Sequence, residues 1–189
     1  MIREANYFNA GTVEFIVDKD NNFYFIEVNA RIQVEHPVSE LVTGIDLIKS
    51  QIIVASGEEL PFKQEDVKCE GHAIECRINA ENPDKNFQPC PGKIEHLIIP
   101  GGLGVRWESH VHAGYTVPPY YDSMIAKLIV QADDRLTALD RAAAALDDFV
   151  IETLTTNRVF LSTVLRHPAV LAGEFDTGWL ERFAKGKES

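Results

Sequence analysis

Residues Gly11–Pro37 read GTVEFIVDKDNNFYFIEVNARIQVEHP, and the fold is decided there. Two runs of β-branched and aromatic residues, Val13 to Val17 and Phe23 to Val28, flank the turn-prone Asp18-Lys19-Asp20-Asn21-Asn22, which predicts a hairpin with a long loop. With the loop centred between Asp20 and Asn21, Glu14 lies directly opposite Glu27. Like charges in a direct cross-strand pair destabilise a hairpin unless something cationic sits between them, and a divalent metal fits that place.

Beyond Glu27 the chain keeps a period of two, with Glu27, Asn29, Arg31, Gln33 and Glu35 at odd positions and Val28, Ala30, Ile32 and Val34 between them. In extended chain this puts every polar group on one face. Such alternation most often marks a half-buried antiparallel strand with a solvated face. The other reading is a phosphate-and-metal site, because this face carries carboxylates, amides and a guanidinium rather than a loose mixture of Thr, Lys, Ser and Glu. Hard oxygen ligands suit Mg²⁺, which keeps several waters and shares its coordination with substrate phosphates. Arg31 has the fork geometry to grip a small planar oxyanion, and Glu35 is a candidate general base.

Four ordered stretches carry a resemblance: GTVEF (11–15), FYFIEVNARIQVEHPVSE (23–40), GHAIECRINAE (71–81) and PGGLGVRWESHVHAGYTVPPYYDSMIAKLIV (100–130). On these the chain resembles, over nearly its whole length, the biotin carboxylase subunit or domain of biotin-dependent carboxylases, an ATP-grasp family. RIQVEHP and VPPYYDS separate it from other ATP-grasp ligases. The resemblance implies an α+β fold with mostly antiparallel sheets backed by helices. Residues 1–66 would be the C-terminal half of an ATP-grasp core and 67–189 the biotin carboxylase C-terminal domain.

The same resemblance implies a ligand set. ATP and Mg²⁺ (or Mn²⁺) fall to Glu14 and Glu27, with Asn29 also on the metal and Ile16 packing against the base. Bicarbonate falls to Arg31, Gln33 and the backbone of Val34, with Glu35 taking its proton. Arg77 matches the arginine that stabilises the biotin enolate, Asp122 lies near the biotin end and would orient Arg77, and Thr177 would touch the adenine pocket edge. Biotin is thus a substrate, and a biotin carboxyl carrier protein or domain an implied partner. The loop Gly101–Trp107, with Leu103 and Arg106, matches a homodimer surface. The family's N-terminal nucleotide-fold domain, glycine-rich lid and phosphate-holding lysines match no residue of this sequence. A separate N-terminal half is therefore an expected partner, and this chain alone is expected to bind none of the ligands.

Read without the family, Arg77 is a strand arginine in a surface ion pair, the usual fate of that residue type. His110 and His112 share a strand face, but two imidazoles without a third ligand read as ordinary strand residues. Two classes of function therefore compete: part of an enzyme that is catalytic only with its missing half, and a non-catalytic folding or dimerisation module. Glu14, Glu35 and Arg77 in family form favour the first. A different ATP-grasp ligase would have to explain RIQVEH and Arg77 without bicarbonate or biotin.

Composition bounds the rest. With 189 residues and 45% hydrophobic content the chain can bury a real core. A net charge of −11 and a pI near 4.9 exclude nucleic acid binding through a basic patch. Cys69, Cys76 and Cys90 are odd in number with no C-x-x-C spacing, which predicts neither a disulfide framework nor a structural zinc and fits a reducing cytoplasm. No apolar run approaches the length of a membrane span.

Along the chain, Met1 to Phe8 reads as the tail of a helix. From Pro37 to Gly57 the spacing predicts one helix, its core stripe Ile45, Ile48, Ile52 and Ala55, before a charged boundary at Lys63 to Lys68. Strands are predicted at Gly71–Ala80, Lys93–Ile99, Val105–Ala113 and Met124–Val130. Asp134 to Phe149 predicts a helix with Leu136, Leu139, Ala143, Leu146 and Phe149 on one stripe and an acidic first turn, and Asn157 or Thr156 predicts a cap for the next. An apolar patch is expected on the ATP-grasp half, where the rest of the family's core would lie.

Overall fold

The computed structural model describes residues 3–186, which form two compact units divided between Glu70 and Gly71. The expected helix tail at the start is a turn over residues 3–6, where Asn6 takes a positive φ of 49° that no helix continues. Met1 and Ile2 lie outside the described residues.

The first unit opens with the hairpin. Strands β1 (Thr12–Val17) and β2 (Phe23–Asn29) pair antiparallel, and Asp18 ties the loop by accepting from the backbone amides of Asp20 (2.9 Å) and Asn22 (3.0 Å). Near the loop the register is Val17 to Phe23 and Phe15 to Phe25, but Glu14 faces Glu27. Ile26 is thus the extra residue of a bulge, which bends and twists a strand locally. The expected Glu14–Glu27 pair is present because the bulge makes up for a loop centred one half-residue from the expected place.

The predicted extension of the strand to Glu35 does not occur. β2 stops at Asn29, the chain bends through 30–35, and Glu35 is the N-cap of α1 (His36–Thr43), with φ −83° and ψ 10°. Pro37 accounts for the stop, since its fixed φ suits the first helical turn. The single predicted helix is two, α1 and α2 (Leu47–Ala55), broken where Gly44 turns left-handed at φ 70°. Asp46 restarts the ladder by accepting from the Lys49 amide at 2.7 Å. The expected core stripe is corrected as well: α2 has no buried residue, and Ile52 is 66% exposed.

The second unit is a three-stranded antiparallel sheet covered on one face by helices. Its strands in chain order are β3 (His72–Asn79), β4 (Glu81–Asn82), β5 (Gln88–Pro89), β6 (Gly92–Lys93), β7 (Leu97–Ile98), β8 (Val105–Ser109), β9 (Thr116–Val117) and β10 (Met124–Ala132). Then come α3 (Arg135–Asp148), β11 (Val150–Ile151), α4 (Arg158–Leu165), α5 (Pro168–Ala172) and α6 (Trp179–Ala184). The main sheet has the order β3-β10-β8, and the short strands pair as β4 with β5, β6 with β9 and β7 with β11. Two predicted strands are shorter than expected: Lys93–Ile99 is split between β6 and β7, and β8 ends at Ser109, whose hydroxyl donates to the Ile125 carbonyl at 2.7 Å.

Alternation along these strands sorts the core. Cys76, Ile78, Ala126, Leu128 and Val130 are buried and belong to one cluster with Leu139, Ala142, Ala143, Leu146 and Phe149 of the α3 region. Phe149 is fully buried, its ring centroid 5.0 Å from that of Trp107. Burial of such side chains stabilises by roughly 1.5–3 kcal/mol each. α3 follows prediction except in two respects. Leu136 is exposed, and no acid lies in the first turn. The acid is the cap itself: Asp134 accepts from the Thr137 amide at 2.9 Å and its hydroxyl at 2.7 Å. Among the described residues no helix is long and apolar enough to cross a membrane.

Candidate functional site

In the first unit, one hydrogen-bonded chain joins five of the residues expected to hold metal and bicarbonate: Glu14, Glu27, Asn29, Gln33 and Arg31. Asn29 Nδ2 donates to Glu14 Oε1 at 2.8 Å and to Glu27 Oε1 at 3.0 Å, so both carboxylates converge on one donor. Gln33 Nε2 donates to the same Glu14 oxygen at 3.3 Å, and Arg31 Nη1 donates to Gln33 Oε1 at 3.0 Å and to the Ile32 carbonyl at 3.1 Å. The bend through 30–35 performs what an extended strand was expected to do, folding Arg31 and Gln33 back toward the hairpin.

The convergence passes a test of fit for a metal. The two carboxylates are hard oxygen donors of the kind Mg²⁺ takes, and they already share one positively polarised group, the Asn29 Nδ2, at the place a cation would take. A cleft of about 680 Å³ in the same unit has walls that include Arg31, Gln33, Glu35 and His36. His36 carries no chemical signal of its own in the sequence; its Nδ1 lies 2.8 Å from the Gln33 carbonyl and so fixes the turn that aims Gln33. Its place in RIQVEHP was the only signal available. Val34 lies in the turn before α1, and Ile16 is largely exposed on β1.

In the second unit, Arg77 projects from β3 on the sheet face opposite the helices, half-exposed, in a row with Lys127 of β10 and Glu108 of β8. The next row on that face is Glu75, Ile129 and Arg106. Glu108 joins both cations: Lys127 Nζ lies 2.6 Å from Oε2, and Arg106 Nη2 contacts Oε1. Burial pushes the Glu108 carboxyl up, but the bonds from Lys127 and Arg106 outweigh it and hold it below the usual carboxylate range. Arg77 Nε lies 3.8 Å from Glu75 Oε1, and the Glu75 side chain is only 4% exposed. The residue expected to orient Arg77 was Asp122, which accepts from the Met124 amide at 2.9 Å; the carboxylate placed beside Nε is Glu75. No pattern marked Glu75, since alternation puts it outward.

The remaining candidates are surface features of the second unit. Tyr120 and Tyr121 are each 87% exposed in the loop before β10, and Leu103 is 91% exposed in the loop before β8. Thr177 is exposed ahead of α6. The ring centroids of His110 and His112 lie 5.4 and 5.8 Å from that of Tyr115, edge-on.

Comparison with known proteins gives two family matches. Residues 75–182, more than half of the chain, match the biotin carboxylase C-terminal domain, and residues 1–63 match the ATP-binding domain of the carbamoyl-phosphate synthase L chain. Biotin carboxylase 1 of Bacillus subtilis is 56% identical over 182 residues, covering 96% of this chain and 40% of that protein. The crystal structure of the biotin carboxylase subunit of a pyruvate carboxylase superposes with a TM-score of 0.94 at 51% identity, covering 100% of this chain and 42% of that one. The biotin carboxylase domain dimer of Hydrogenobacter thermophilus 2-oxoglutarate carboxylase, in complex with MgADP, ADP and bicarbonate, gives 0.95 at 46% identity with the same coverages. This chain therefore spans about two fifths of the length of the relatives it matches. Motif order, antiparallel α+β architecture and these matches agree: the chain belongs to the biotin carboxylase family.

Proposed function

We propose that this chain supplies the metal, bicarbonate and biotin-facing residues for ATP-dependent carboxylation of biotin, and that it turns over together with the part of its relatives' length it does not span. The convergence of Glu14 and Glu27 on Asn29, with Gln33 and Arg31 joined to it, carries the reading. Residues 1–66 act as the C-terminal half of an ATP-grasp core and 67–189 as the C-terminal domain. Glu14, Glu27 and Asn29 would hold Mg²⁺, which when bound neutralises phosphoryl charge. Arg31, Gln33 and the Val34 backbone orient bicarbonate, and Glu35 accepts its proton as an oxygen attacks the γ-phosphoryl of ATP. ADP leaves and carboxyphosphate forms. Its C–O bond then breaks to CO₂ and phosphate, the phosphate takes the ureido proton of biotin, and the nitrogen attacks CO₂.

Arg77 aims a fixed guanidinium at the ureido oxygen as it gains charge, the electrostatic device this step needs. Positioning and electrostatics supply most of the catalysis. The relative from Hydrogenobacter thermophilus, bound to MgADP and bicarbonate, supports the ligand set. A biotin carboxyl carrier domain is the proposed source of biotin, and a second copy meeting the loop Gly101–Trp107 the proposed dimer.

The test is bicarbonate-dependent ATP hydrolysis with free biotin, for this chain alone and mixed with a polypeptide supplying the rest of a relative's length. Activity only in the mixture, lost on Glu35→Gln or Arg77→Ala, is expected. Silence in both while the two chains associate would leave a folding or dimerisation module.

A further inference from the structure

Asn157 was expected as a helix cap, and it does hold the N-cap position of α4, but its side chain makes no cap hydrogen bond. It is buried and turned onto β3 instead. Its Oδ1 accepts from the Asn79 amide at 2.9 Å, its Nδ2 donates to the Arg77 carbonyl at 3.0 Å, and its own amide donates to the Asn79 carbonyl at 3.1 Å. One residue thus makes three bonds to the strand segment 77–79.

That segment is where the main ladder is irregular. β3 pairs with β10 in even register from His72 to Ile78, but between Ala126 and Met124 the register slips, opposite Ile78 and Asn79. A slip of this kind bends a strand and re-aims the side chains beside it. β10 therefore fixes the Arg77 end of β3 from one edge only, and Asn157 fixes it from the other. The Arg77 carbonyl belongs to the peptide plane that follows the arginine, so holding it sets the backbone from which the guanidinium is presented. Glu75, two residues earlier on the same face, places a carboxylate oxygen 3.8 Å from Nε.

We infer that Asn157 is a positioning residue for Arg77: through its carboxamide it holds the β3 backbone so that the guanidinium meets the reacting oxygen. The inference rests on the role proposed for Arg77 and gives a residue some eighty positions away in the chain a role that its local capping pattern does not indicate.

Two variants separate the bonds. Asn157→Asp keeps an acceptor for the Asn79 amide and loses the donor to the Arg77 carbonyl; Asn157→Ala loses both. In the complex with the rest of a relative's length, both are expected to lower biotin-dependent turnover by about a hundredfold, the effect of a roughly 1 Å misplacement. Bicarbonate-dependent ATP hydrolysis without biotin falls by a far smaller factor. In this chain alone, the Asn79 amide exchanges faster in Asn157→Ala and stays protected in Asn157→Asp, while the Arg77 Nε–H resonance moves in both. Wild-type biotin-dependent turnover in Asn157→Asp with an unmoved Arg77 resonance overturns the inference. So does an equal loss of both activities, which marks a fold effect. Undiminished biotin-dependent turnover in Arg77→Ala sinks the proposed function instead, and the exchange and resonance measurements still decide whether Asn157 holds the strand.

Discussion

Replacing Asn29 with alanine removes the donor that Glu14 and Glu27 share and leaves two carboxylates facing each other across the hairpin. Opposed side chains on paired strands lie about 5 Å apart, so the repulsion is roughly 1 kcal/mol in water-like surroundings and about 3 kcal/mol at an effective dielectric of 20. Glu27 is exposed and Glu14 half-buried, which favours the lower figure. Loss of the hydrogen bonds adds about 1 kcal/mol, so Asn29→Ala should open the hairpin by roughly 2 kcal/mol. Glu27→Gln in the same chain removes the repulsion and should restore about 1 kcal/mol. Amide exchange at β1 and β2 reads this local opening directly, without assuming that the two units unfold together. If the double variant opens as readily as Asn29→Ala, the carboxylates do not repel, and the physical reason for placing a cation between them is gone.

Phe149→Ala should destabilise the second unit by about 3–5 kcal/mol, because a fully buried ring packed on Trp107 is lost and a cavity left; urea unfolding followed by tryptophan fluorescence checks it. Glu108 has a folded-state carboxyl held below its ordinary value, so its contribution to stability is complete above the usual carboxylate range and is lost as pH falls through the lowered one. Unfolding curves should therefore differ between wild type and Glu108→Gln at neutral pH and converge as the pH falls through the lowered carboxyl range. Cys76, 4% exposed and with its thiol pushed up to about 12 by burial, should resist thiol reagents in the native chain while exposed Cys69 reacts; equal rates would contradict the packing of β3.

What could be read from the sequence depended on the range of the interaction that decides it. β10 and α3 were legible because alternation and helical spacing are local and their apolar faces meet a core, and the hairpin because its two β-prone runs flank a turn-prone loop, although its apolar side chains are exposed. The stripe Ile45–Ala55 has the same local form, yet Ile52 is exposed and Gly44 breaks the helix, since periodicity names a face and not what covers it. The odd positions from Glu27 to Glu35 do gather, but through a bend that a period of two does not describe. Asn157 shows the other limit. A capping residue ahead of a helix was readable, whereas its bonds to Arg77 and Asn79 depend on tertiary placement alone.

The hairpin itself sets a condition on everything mounted on it. Phe15, Ile16, Val17, Phe23, Tyr24, Phe25, Ile26 and Val28 are all exposed, which means apolar side chains meet solvent on both faces of a two-stranded sheet with both outer edges open among the described residues. A two-stranded hairpin is marginal in water by itself. Glu14 and Glu27 must nonetheless be held to within about half an ångström for the chemistry proposed. Such rigidity needs further strands or side chains packed on the pair, so the precision of the proposed metal site would be set by whatever covers the hairpin. Ordering the hairpin and forming the site then become a single equilibrium, and any ligand bridging the two carboxylates would act on both at once.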